Sequence, residues 1–127
     1  MKIATTQLFS QHAASLQANG YLVLDVTVKS GDKVFAPTWK MVKGYLNSSM
    51  TEEEYTNLYH GMMRDSFVKN SARWKQICQY EKVALACYCK PGDFCHRHLL
   101  KQYVAAAAKK FHNSKDKMFL SSIPPSS

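Results

Sequence analysis

Acidic residues are scarce in this chain: nine Asp and Glu stand against seventeen Lys and Arg, for a formal charge of +8. No Asp or Glu pair is placed to hold two divalent ions, which argues against two-metal nuclease chemistry. No apolar run approaches the roughly 18–20 residues that span a bilayer, so no membrane partner is expected. The start, Met1 to Gln7, has no apolar leader, and the expected location is cytoplasmic. There is no second CxxC or HxxxH pair to complete a tetrahedral zinc set, and Cys95 and His96, being adjacent, diverge on a helix. Neither a metal nor a cofactor is expected. No repeat or internal linker divides the 127 residues, which suit one domain, residues 1–120, with a disordered tail of serines and prolines at 121–127.

What is present reads as alternating strands and helices. Residues 2–6 suit a short strand, and Leu8 to Ala18 a helix stopped by Asn19-Gly20. Tyr21 to Val28 is a dense aliphatic strand ending at Lys29-Ser30-Gly31-Asp32. Pro37 forces its neighbour out of helical geometry, and Thr38 caps a helix to Leu46. Thr51-Glu52-Glu53-Glu54 is a capping box, whose acids suit the positive end of a helix dipole better than a catalytic site. Behind it, Tyr55, Leu58, Tyr59, Met62, Met63 and Phe67 form one apolar stripe, and Asn70-Ser71 opens a further helix carrying Trp74 and Ile77. Val83 to Cys89 is a continuous apolar run, as in a strand covered on both faces, and a helix follows from Phe94 or Cys95 to Phe111. This order predicts an α/β domain with a short parallel sheet flanked by helices, and a ligand at the carboxyl ends of its strands.

The densest chemistry lies in Cys87-Tyr88-Cys89-Lys90-Pro91-Gly92-Asp93-Phe94-Cys95-His96-Arg97-His98. Besides the metal reading, two others compete. A cysteine at a strand end before a helix would be a low-pKa thiolate, although seven residues separate Cys89 from Arg97 where phosphatase-like loops have five. Alternatively, the free N–H groups of the last helix, with Arg97 and Lys90, would receive a phosphate, and His96 would act as general acid or base. Cys87, inside the apolar run, reads as a packed residue. Thr5 and Thr6, then Lys29 and Ser30, then Lys33 and Trp39 should converge on the same sheet edge. There they would supply donors for phosphate oxygens and a ring for a base to stack on.

The segment KPGDFCHRHLL, preceded by ACY and a strand, resembles the DUF488-type proteins of bacteria and phages. The resemblance extends to the opening strand and helix and to the Ala36-Pro37 loop. It implies a compact three-layer α/β domain and carries Cys95, His96 and Arg97 over as site residues. One departure is Cys89, where family members often have Glu after the Cys-Tyr pair.

The basic charge favours a polyanion through release of its counterions. The leading expectation is an intracellular enzyme directed at nucleic acid, with DNA favoured, cleaving or processing it at a phosphodiester or a damaged uracil or abasic site. His96, Arg97, Cys95 and Cys89 are its catalytic candidates, and Lys90, Lys29, Ser30, Lys33, Thr5, Thr6 and Trp39 its phosphate and substrate contacts. Lys29 or Lys33 would instead attack an abasic aldehyde if its amine lost its proton. The rivals are a small-molecule nucleotide enzyme and a non-catalytic phage-type inhibitor of a host protein.

Overall fold

The computed structural model describes residues 1–89 and 92–121, those from 114 on by backbone alone. Eight elements follow one another: β1 (Lys2–Gln7), α1 (Gln11–Ala18), β2 (Leu22–Asp25), α2 (Trp39–Leu46), α3 (Glu52–Lys69), α4 (Ser71–Cys78), β3 (Lys82–Cys87) and α5 (His96–Ser121). The three strands form one sheet in the order β1-β3-β2, all parallel, with Ala4 and Val23 both facing Ala84 in register. The α/β architecture and its parallel sheet are as the sequence pattern predicts. Every residue from Val83 to Cys87 is buried, so β3 is covered on both faces. Helix α1 lies against all three strands, and α5, braced by α3 and α4, lies against β1 and β3.

Element ends differ from the sequence pattern where side chains take over backbone partners. Strand β2 stops at Asp25 rather than Val28, because Asp25 Oδ1 accepts the Thr27 N–H at 2.9 Å and Oδ2 takes the Ser30 hydroxyl at 2.5 Å. The chain folds so tightly there that a Cβ on Gly31 would sit 2.4 Å from the Thr27 nitrogen. Helix α1 starts after Ser10, whose hydroxyl caps the Ala13 N–H, because Phe9 is left-handed at φ 58°. Helix α5 passes Phe111 because no Gly or Pro interrupts residues 112–121. Of the expected tail, Ser121 ends α5 and residues 122–127 lie outside the described residues.

The capping box forms as expected, with Thr51 and Glu54 exchanging bonds of 3.0 and 3.1 Å. The face of α3 that turns inward is Tyr55, Tyr59, Met63 and Ser66, while Leu58 is half exposed. Two hydroxyls on that face hold the segment before α2. Tyr59 donates to the Phe35 carbonyl at 2.6 Å and Ser66 to the Val34 carbonyl at 2.7 Å. Ser66 also accepts the buried Trp74 indole N–H at 3.1 Å. An ion pair of 2.8 Å between Arg73 and Asp32 ties the same segment to α4. Pro37 and Trp39 are thereby fixed beside the sheet's carboxyl edge.

Candidate functional site

The apolar run that makes β3 ends at Cys87, and the turn after it leads to Cys95 at the start of α5. The two sulfurs are 2.8 Å apart and both cysteines are buried. Cys89 completes the group: the three sulfur atoms lie within 4.8 Å of one another. The sequence spacing, with Cys95 and His96 adjacent, does not reveal this trio. Three thiols in that space are sound ligands for a soft metal ion. However, tetrahedral zinc with bonds of about 2.3 Å spreads its sulfurs to roughly 3.8 Å, wider than the Cys87–Cys95 spacing.

Arg97 and His96 act on this cluster from α5. Arg97 is almost wholly buried, and its Nη1 donates at 2.8 Å both to the Cys87 sulfur and to the Cys89 carbonyl. His96 Nε2 donates to the Val26 carbonyl at 2.6 Å, which fixes the tautomer and leaves Nδ1 as an acceptor 3.6 Å from the Cys95 sulfur. Hydrogen bonds from the Cys89 and Cys95 thiols hold the Cys87 thiol well below its ordinary pKa, against the cost of burial, and the Arg97 charge adds to the effect. Cys95 and Cys89 are pushed up, chiefly because each donates its proton to Cys87. The arrangement thus favours the thiolate form at Cys87 and the thiol form at Cys89 and Cys95. Burial lowers His96, so its ring is neutral there despite the Val26 bond.

The thiols form the floor of a cavity of about 590 Å³ at the carboxyl ends of β2 and β3. Aromatic rings make much of its wall: Trp39 and Tyr45 from α2, Tyr55 from α3, Tyr88 and Phe94 from the turn. Tyr45 and Phe94 have ring centroids 5.0 Å apart, and Tyr55 meets Phe94 edge-on at 5.4 Å. Lys29 lines the mouth, and Lys33, Lys40 and Lys43 are exposed nearby in sequence, with Lys43 Nζ over the Trp39 ring at 5.9 Å. The volume fits one small organic unit, and the walls suit a flat ring.

The sequence candidates thus divide. Cys89, Cys95, His96, Lys29 and Trp39 all line the cavity. Arg97 supports its floor, aimed at sulfur and a carbonyl rather than outward, and His96 has both nitrogens engaged within the protein. Ser30 reaches the Tyr88 hydroxyl at 3.3 Å on the rim and is otherwise engaged with Asp25 and Thr27. Thr6 is buried against His12, 2.8 Å away, and neither it nor Thr5 is among the described residues lining the cavity; Lys33 is likewise not among them. Lys90 lies outside the described residues. Cys87 is buried, as its place in the apolar run implies, and its sulfur also joins the trio, which the sequence reading did not anticipate. Its signal was the Cys87-x-Cys89 spacing at a strand end, which sets two sulfurs on one side.

A family model described as the active DUF488-N3 subclade matches residues 22–108, a span that holds every described residue lining the cavity. No curated protein and no solved structure matches the chain.

Proposed function

Because the chain belongs to the active DUF488-N3 subclade, we propose that it is a nucleic-acid-directed enzyme that draws one damaged nucleotide of DNA into the Cys87 cavity and processes it there. The observation that carries this reading is the Cys87 sulfur, hydrogen-bonded by Arg97, on the floor of an aromatic-walled cavity of about 590 Å³. Enzymes that act on a base within a strand must first extrude it, and damaged or unpaired units leave the stack most cheaply. Trp39, Tyr45 and Phe94 offer faces to stack on, and the +8 charge favours a polyanionic strand over a lone nucleotide.

The geometry favours a lesion over simple phosphodiester hydrolysis. A phosphoryl centre needs cations on its oxygens, and Arg97 is turned to Cys87 and Cys89 instead. Cys87 is the nucleophile, directed at an electrophilic carbon such as an abasic aldehyde or a damaged base. Cys89, half-buried in the wall and protonated, is placed to supply a proton. Lys29 lines the same cavity and offers a cation to the strand's phosphates.

The test is a set of end-labelled duplexes carrying uracil, an abasic site or no lesion, run beside a panel of free nucleotides. Product is expected from lesion-bearing DNA and should fall on the order of 10³-fold or more in folded Cys87→Ser. Turnover of free nucleotides without DNA would favour a small-molecule enzyme, and no turnover of either would remove the catalytic reading.

A further inference from the structure

A nucleophile needs one sulfur, whereas here a second lies 2.8 Å from the first. We propose that Cys87 and Cys95 form a reversible dithiol couple that reduces organic hydroperoxides admitted to the cavity, with Cys87 attacking, Cys95 resolving and His96 Nδ1 as the base for the second step. This goes beyond the nucleic-acid reading and does not depend on it.

Each part is positioned by a contact already described. The peroxide reaches Cys87 through the cavity that all three cysteines line, whose aromatic walls suit an aryl or alkyl hydroperoxide better than a hydrated one. The Arg97 N–H on the Cys87 sulfur stabilises the thiolate that must attack. Cys95 is the natural resolving thiol, since its sulfur touches that of Cys87 and also faces an acceptor nitrogen at 3.6 Å. Cys78 is separate, in α4, with its sulfur near the Val104 carbonyl.

The chemistry balances in two steps. The Cys87 thiolate attacks the outer peroxide oxygen, an S–O bond forms, the O–O bond breaks, and the departing alkoxide takes a proton from solvent water to become an alcohol. Sulfur is oxidised by two electrons and the peroxide reduced by two. Cys95 then gives its proton to His96 Nδ1 and attacks the Cys87 sulfenic acid. The S–S bond forms, the S–O bond breaks, and hydroxide leaves as water with that proton. A small dithiol returns two electrons and restores both thiols.

The experiment treats the fully reduced chain with one equivalent of cumene hydroperoxide and maps thiols and disulfides by mass spectrometry. Two of the four cysteines should be lost as a Cys87–Cys95 link, reversed by dithiothreitol. Cys95→Ser should stop at a sulfenic acid on Cys87 that dimedone captures. His96→Gln should form that sulfenic acid at the normal rate but close the disulfide more slowly, a split that a merely structural role would not produce. Loss of Cys78 first, a Cys87–Cys89 link, direct passage of Cys87 to sulfinic acid, or four unreacted thiols would each overturn the proposal. Wild-type protein carries the main readout, so misfolding of a variant cannot mask the result.

Discussion

Arg97 Nη1 sits 2.8 Å from the Cys87 sulfur, joining the first turn of α5 to the last residue of β3. The contact is both a tether and a charge. Replacing the guanidinium should therefore change thiol chemistry as well as stability.

In Arg97→Met the Cys87 thiolate loses a cation and an N–H donor, so its ionisation should shift to higher pH. Iodoacetamide labelling of the folded protein against pH should show the midpoint rising relative to wild type. An unchanged profile would mean that the Cys89 and Cys95 thiols alone set the ionisation.

His96 gives a pH dependence of stability. Burial lowers its pKa in the folded state, so below about 6.5 the unfolded chain binds a proton that the folded ring resists. Its contribution is complete above that pH and is lost progressively as pH falls toward the folded value. Melting temperature should decline on acidification through this window, and His96→Gln should flatten that part of the curve.

Ser66 satisfies two buried groups at once, the Trp74 indole N–H and the Val34 carbonyl. Ser66→Ala strands both and should cost about 1–3 kcal/mol in denaturant unfolding. The loosened 32–37 segment should also weaken any ligand that stacks on Trp39.

Phe9 is a bulky residue at φ 58° with 88 % of its surface exposed. Left-handed backbone costs such a residue on the order of 1–3 kcal/mol, and glycine adopts it readily. Phe9→Gly should leave the melting temperature unchanged or raise it. A clear fall would show that the ring's approach to Tyr88, at 6.2 Å, contributes to packing.

The Cys87–Cys95 separation is tighter than a zinc tetrahedron allows. Dialysis against a strong chelator should therefore leave melting temperature and secondary structure unaltered. Elemental analysis finding one zinc per chain, lost in Cys95→Ser, would require the sulfurs to spread around an ion.

The parallel architecture was legible because aliphatic density and caps are local signals. The run from Val83 marks a strand buried on both faces, and Thr51 with Glu54 marks a helix start whatever surrounds them. The ends of β2 and α1 were not legible, since Asp25 and Ser10 redirect backbone donors only once the turns exist. Arg97 stands out in the sequence as a charge close to the cysteines, but its direction does not. An arginine at a helix start reads as an anion clamp until a strand end is seen to offer it sulfur. Tyr55 shows the same limit: its spacing announces a buried face, while its second edge, against the cavity, depends on α2 and the turn before α5 arriving beside it.

The strand order has a consequence for how the chain acquires its chemistry. β1 and β2 do not touch each other, and both pair only with β3, so Lys2 must find Lys82 across most of the chain. Closing so long a loop is entropically costly and slow, and neither earlier strand has a sheet to join until β3 has been synthesised. Cys87 is the last residue of that strand, and the thiol of Cys95 and the guanidinium of Arg97, which hydrogen-bond its sulfur, come eight and ten positions later. A ribosome-bound or truncated chain would thus carry ordinary thiols, and the reactive one would arise only with the final closure of the sheet.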